Sequence, residues 1–203
     1  MLIQAAADFH GKQQRYTAFR EEAEHHSPHV AVLAGDVDDS PHFYRLLEQL
    51  SLPVLVVHGN MDHPGIRKRV EEKGGIFLHG TARTLGGLRF MGLGGGKPSS
   101  ETVMEGQPHE EKRMADRDVD VLVTHVPPRG SLDKTMLGTH IGSPWVRRLV
   151  EQKKPRLVIC GHVHEHPGHT TTGETVVVNC SVGRTGRCTL IDIDEKIQVR
   201  RLE

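Results

Sequence analysis

The sequence predicts an α/β fold, on three observations. Short apolar runs recur along the first 160 residues, each of strand length. Stretches of helical period separate them, the alternation that builds parallel sheets with crossover helices. Each of these runs also ends at once in polar, metal-capable residues, at the strand ends where open α/β sheets collect ligands.

Leu2-Ile3-Gln4-Ala5-Ala6-Ala7 reads as the first strand and ends at Asp8-Phe9-His10-Gly11. From Lys12 to about His26, Tyr16, Phe19 and Ala23 recur at helical spacing, and Ser27-Pro28 stops the helix. Val30 to Ala34 is the second strand, ending at Gly35-Asp36-Val37-Asp38-Asp39. Ser40-Pro41 has the N-cap and first-turn chemistry for a helix through about Leu50. Val54 to Val57 ends at His58-Gly59-Asn60-Met61-Asp62, and a helix is expected from Pro64 to Lys73. The glycine-punctuated stretch 74–96 suggests short strands around Ile76-Phe77-Leu78 and Leu88 to Met91, and 94–108 reads as a long loop. Val119 to Val123 runs into Thr124-His125. A second long loop follows from Val126 to Gly142, and Ser143-Pro144 caps a helix through about Gln152. Leu157 to Cys160 opens into Gly161-His162-Val163-His164. Beyond His169 the chain alternates through Thr175–Val178, Cys188–Ile193 and Ile197–Arg200, which predicts antiparallel strands.

A length of 203 residues suits one domain over 1–203, with a sizeable core. The 26 basic and 26 acidic residues cancel, so no bulk field draws in nucleic acid or an anionic membrane. The N-terminal stretch lacks a basic segment followed by a long apolar one, and no run approaches the roughly 20 apolar residues of a membrane helix. Neither a signal peptide nor a membrane span is therefore expected. Cys160, Cys180 and Cys188 lie in or beside apolar runs without Cys-x-x-Cys spacing, as reduced core cysteines of a cytoplasmic protein would.

His162 and His164, one residue apart at a strand end, have two readings: surface histidines in a chain with 15 of them, or ligands that each meet a different ion. Asp8, His10, Asp36, Asn60 and His125 stand at the ends of the earlier strands. A lone Gly-Asp or Gly-Asn marks a turn more often than a ligand. Five such blocks in series, each at a strand end, favour one cleft in which all seven side chains meet.

These blocks, Asp8-Phe9-His10, Gly35-Asp36-Val37-Asp38-Asp39, Gly59-Asn60-Met61-Asp62, Thr124-His125 and Gly161-His162-Val163-His164, resemble the signature of the calcineurin-like metallophosphoesterases. His125-Val126-Pro127-Pro128, Gly138-Thr139-His140-Ile141-Gly142-Ser143 and Cys160 to Glu165 resemble a phosphodiesterase-like subgroup that includes the brain metallophosphoesterase-domain proteins. The resemblance implies a four-layer αββα sandwich, with two mixed sheets flanked by helices. It implies Asp8, His10, Asp36 and His164 around one metal, and Asp36, Asn60, His125 and His162 around the other. Mixed imidazole and carboxylate donors suit divalent transition metals, manganese first and Fe, Ni, Co or Zn as alternatives, rather than calcium or an all-magnesium site. Two divalent ions less Asp8, Asp36 and a bridging hydroxide leave a positive site for an anionic substrate. That hydroxide would be the nucleophile on a phosphate ester, with Asp36, Asn60 and His125 as the catalytic set.

One position departs from the family pattern. Many members carry His after the Gly-Asn, as the proton donor to the leaving group, whereas this chain has Met61. A leaving group acidic enough to depart unaided would need no donor; alternatively His63, His140 or His58 would substitute, each of which is otherwise an ordinary loop histidine, or activity would be weak. His140 is the candidate substrate contact. Asp39 is either a support for the ligands or a loop acid. Arg184, Arg187 and the Gly94-Gly95-Gly96-Lys97 turn are more economically solvated turns than phosphate contacts. The function expected is a dinuclear metal-dependent phosphoesterase acting on small phosphodiesters. The rivals are a phosphomonoesterase, a nuclease of the same fold, and a non-catalytic protein-binding scaffold. Nucleic acid is not expected as substrate, and a homo-oligomer is left open.

Overall fold

A computed structural model describes residues 1–96, 118–183 and 187–202. The order of elements is β1 (Leu2–Ala6), α1 (Gln13–His26), β2 (Val30–Ala34), α2 (Pro41–Gln49), β3 (Val54–Val57), α3 (Ile66–Glu72), β4 (Ile76–Phe77), β5 (Ala82–Leu85), β6 (Leu88–Leu93) and β7 (Val121–Thr124). It continues with α4 (Pro144–Lys153), β8 (Leu157–Cys160), β9 (Gly168–Thr172), β10 (Thr175–Asn179), β11 (Thr189–Ile193) and β12 (Ile197–Arg201).

Two six-stranded mixed sheets result, ordered β12-β11-β1-β2-β3-β4 and β5-β6-β7-β8-β10-β9. β1 to β4 are parallel neighbours, as are β6, β7, β8 and β10; the antiparallel strands sit at the margins. Strand alternation sorts the side chains into layers. Ile3, Ala5, Val30, Val32, Leu55 and Val57 meet Val121, Val123, Leu157, Ile159 and Val178 between the sheets. The opposite face of the first sheet, with Ala31, Leu33 and Val56, packs on Phe19, Phe43, Leu46 and Val70 of its helices. Leu122, Val158 and Val177 pack outward on Val146 and Val150 of α4. The architecture is a four-layer αββα sandwich.

α1, α2 and α4 start and stop close to where the sequence indicates. Ser40 and Ser143 accept hydrogen bonds from the N–H groups of Phe43 and Val146, with proline at the first turn of α2 and α4. Ser27 closes α1 in the left-handed region, φ 47°. Tyr16, Phe19 and Ala23 form its buried face. Cys160, Cys180 and Cys188 are buried free thiols.

Three expectations need correction. The antiparallel pairing expected beyond His169 holds for β9 with β10 and for β11 with β12, but β10 also lies parallel to β8, because the chain turns through β9 before entering the sheet beside β8. β5 and β9 have no apolar alternation to announce them: Ala82-Arg83-Thr84-Leu85 and Gly168-His169-Thr170-Thr171-Thr172 are edge strands with half-exposed side chains. α3 begins at Ile66 rather than Pro64, since Gly65 is its N-cap. Most of the long loop expected at 94–108, Lys97 included, and Arg184 lie outside the described residues.

Candidate metal centre

The C-terminal ends of β1, β2, β3, β7 and β8 point to one edge of the sandwich and carry Asp8, Asp36, Asn60, His125 and His162 within a few residues of the last sheet bond. The turns that follow are tight. Asp8, His10, Asp36 and His162 all have positive φ, at 66°, 49°, 51° and 70°, a region that non-glycine residues enter rarely and that clusters at functional sites. Two glycines let these turns close. A Cβ on Gly59 would lie 1.9 Å from Asp36 Oδ1, and one on Gly161 would lie 2.3 Å from the Ala7 Cβ and 2.9 Å from Asp8 Oδ2.

Donor atoms of Asp8, His10 and His164 lie within 4.8 Å of one another, and so do those of Asp8, Asp36 and His125. Asp36 stands between the groups: its Oδ2 is 3.6 Å from His125 Nε2 and 3.9 Å from His10 Nδ1. Its Oδ1 accepts the Met61 N–H at 2.9 Å. Asn60 Oδ1 lies 3.1 Å and His162 Nδ1 lies 3.2 Å from His125 Nε2, while His10 Nε2 is 3.2 Å from His164 Nε2. The structure thus brings together all seven side chains singled out in the sequence.

The arrangement suits cations. His125 is fully buried and its Nδ1 lies 2.9 Å from the Ala34 carbonyl, so Nδ1 carries the proton and Nε2 presents a lone pair. That lone pair faces the Asn60 carbonyl oxygen and the Asp36 carboxylate, acceptors against acceptors, which a divalent ion would resolve. Burial, opposed by Asp36 and Asp8, holds His10 below its ordinary pKa. Burial and the neighbouring His125 do the same to His162, favouring the neutral, ligating imidazole. Burial works against ionisation of Asp8, but the hydrogen bond from His164 outweighs it and keeps the carboxyl below the usual range. The same contact with Asp8 raises the pKa of His164.

Residues 1–190 match the calcineurin-like phosphoesterase superfamily domain. The chain belongs to that superfamily. An uncharacterized protein of Methanocaldococcus jannaschii is 28% identical over 207 residues, covering 89% of this chain and 88% of its own. The human metallophosphoesterase domain-containing protein 1 is 32% identical over 120 residues, 53% of this chain, and the match spans only 35% of that relative. A solved structure of an archaeal phosphodiesterase superposes over the whole of both chains, with a TM-score of 0.63 at 15% identity, a likeness of fold.

For a member of this superfamily, the surroundings of Met61 matter most. Met61 is 68% exposed and lines the cleft together with His10, Asp36 and Asp38. Among the described residues, none of the three substitute histidines is hydrogen-bonded to one of the seven. His63 is exposed and its Nδ1 accepts the Gly65 N–H. His58 stacks on Phe77 and packs edge-on against His79, and burial pulls its pKa down to about 4, so at neutral pH it is an uncharged imidazole and a poor acid. His140 is tied through Nδ1 to Asp133 at 2.6 Å inside its own loop, with the side chain 37% exposed. Asp39 does not support the ligands; it accepts from Tyr44 at 2.6 Å and pairs with Arg69. Arg187 pairs at the surface with Glu22.

Two supporting residues emerge: Asp62, which the sequence reading placed in a signature block without a role, and Arg15, which it did not single out. Asp62 accepts the N–H groups of Gly59 and Asp38, both at 2.7 Å, and so ties the Asn60 turn to the Asp36 turn. Arg15 donates to the carbonyls of Asp8 and Gly183, each at 2.6 Å, from the first turn of α1. Nothing local in the sequence marks that long-range contact.

Proposed function

We propose that the chain is a dinuclear metal-dependent phosphoesterase acting on small phosphodiesters in the cytoplasm. The observation that carries this reading is the position of Asp36 Oδ2 between His125 on one side and His10 on the other, each within 4 Å. Asp8, His10, Asp36 and His164 would hold one ion, and Asp36, Asn60, His125 and His162 the other. Two such ions supply an acidified water as nucleophile and Lewis-acid stabilisation of the phosphoryl oxygens. The mixed nitrogen and oxygen donors fit Mn, Fe, Co, Ni or Zn, with manganese first.

The protein's own part is placement and charge. The Met61 N–H and the peptide environment of Gly59 orient Asp36, so its free oxygen faces both halves of the site. The Asn60 amide keeps its NH2 free to hold a phosphoryl oxygen while its carbonyl faces His125. Met61 can neither donate nor accept a proton, so the leaving oxygen departs with little help from this position. That supports a substrate with an acidic leaving group, as in an activated diester. The archaeal phosphodiesterase of the same fold and the subgroup motifs point the same way.

The test is to strip the protein of metal, restore Mn, Co, Ni or Zn singly, and compare bis(p-nitrophenyl) phosphate with p-nitrophenyl phosphate. The diester should be hydrolysed faster with manganese. Clear preference for the monoester removes the diesterase assignment. Silence on both, with two ions demonstrably bound, leaves the scaffold.

A further inference from the structure

We infer that Asn179 is a positioning residue for the metal centre: it holds the turn that carries His162 and His164 and thereby sets the affinity for both ions. The inference rests on the metal-centre reading above.

Asn179 is the last residue of β10 and is fully buried. A buried amide is costly unless its groups are satisfied, and here both are. Nδ2 donates to the Val163 carbonyl at 2.8 Å, and Oδ1 accepts the Ser181 N–H at 3.0 Å. One partner is a pure acceptor and the other a pure donor, which fixes the orientation of the amide. Val163 is the residue between the two histidines. A grip on its carbonyl fixes the Val163–His164 peptide directly, and reaches His162 through the Val163 N–H bond to the Gly161 carbonyl.

The turn needs such a grip. His162 has φ 70°, and its N–H is committed to Asp8, 3.0 Å from Oδ2. A left-handed, non-glycine residue persists only where its surroundings over-determine it. The backbone ties within the turn are short-range, Val163 N–H to Gly161 and His166 N–H to Val163. Asn179 adds a contact 16 residues away in sequence, from a strand locked into the second sheet beside β8.

The segment that begins at Asn179 also reaches the other ligand turn. The Cys180 carbonyl accepts the Ala7 N–H at 3.2 Å, and the Val182 N–H donates to the Ala7 carbonyl at 3.1 Å. Arg15 joins the Gly183 carbonyl to that of Asp8. Residues 179–183 thus pass from the second sheet to the first beside both strained turns, with Asn179 tying the segment to the His162 turn and Arg15 tying it to the Asp8 turn.

Asn179→Asp keeps the size and the Oδ1 acceptor but sets an oxygen against the Val163 carbonyl. Asn179→Ala removes both bonds. Manganese titration of the metal-free proteins, followed calorimetrically, should show affinity weakened by about 10- to 100-fold in either variant, the usual reach of a residue behind the ligands. Thermal unfolding with and without manganese separates positioning from general support. The rise in Tm on adding a fixed concentration of manganese should shrink in the variants, since that rise follows the affinity. A purely structural role would lower Tm equally with and without metal. An Asn179→Asp isotherm within twofold of wild type, beside a wild type that binds two ions, overturns this inference alone. So does failure of both variants to fold even in saturating manganese. A wild type that binds no manganese overturns the metal-centre reading and this inference with it.

Discussion

His125 Nδ1 lies 2.9 Å from the Ala34 carbonyl, across the gap between the two sheets. This contact fixes which nitrogen faces the cleft, and a Cβ on Gly35 would come within 2.4 Å of that Nδ1. The β2 end and the β7 end therefore meet only because residue 35 is glycine.

His125→Ala is expected to lower kcat on a diester by at least about 100-fold and to reduce bound metal towards one ion per chain. Steady-state kinetics paired with elemental analysis reads both. Activity within a factor of two and an unchanged metal content would remove His125 from the centre.

Met61→His places an ionisable ring where the cleft meets Asp36 and His10. Proton donation to a leaving group contributes about 10²-fold or more where it is needed. The variant should speed hydrolysis of esters with poorly acidic leaving groups while leaving bis(p-nitrophenyl) phosphate nearly unaffected. The check is the dependence of kcat/KM on leaving-group pKa, which should become shallower. An unchanged slope would show that no donor is missing at this position.

Asp62 carries two backbone N–H bonds that join the Asn60 and Asp36 turns. Asp62→Ala leaves those donors without their partner and should cost about 1–3 kcal/mol of stability. Urea unfolding measures it. The loss should exceed that from Asp39→Ala, whose partners Tyr44 and Arg69 stand at the surface side of α2 and α3.

His140 remains the proposed substrate contact, and its neighbour Asp133 sets a pH dependence. Burial opposes ionisation of Asp133, but the N–H of Gly130, His140 and the N–H of Gly142 together hold its carboxyl below the ordinary value of 3.8. A carboxyl depressed in the folded state contributes stability that is complete above its unfolded pKa and is lost as pH falls through the lower folded one. Asp133→Asn should therefore destabilise the protein at neutral pH and flatten the loss of Tm below about pH 4. His140→Ala, assayed beside it, should raise KM for a diester. Unchanged turnover and affinity would remove His140 from the site.

The sequence made the strand ends legible because each pairs an apolar run of sheet length with a polar turn. β2, β3 and β8 occupy the residues their apolar runs mark. The seven side chains were findable for the same reason, since chain direction in a parallel sheet puts every such end on one edge. What stayed hidden depends on long-range pairing. β9 is a run of threonines that becomes a strand only against β10. Asn179 and Arg15 act where the chain crosses between sheets, and the parallel course of β10 follows from the turn through β9; no local pattern encodes either.

The proposed dinuclear centre is shared through Asp36. Crystals grown in manganese chloride and measured at the manganese absorption edge test it most directly. Two anomalous peaks are predicted about 3.5–4 Å apart, one among Asp8, His10, Asp36 and His164, the other among Asp36, Asn60, His125 and His162. A single peak, or none within reach of Asp36, would contradict it.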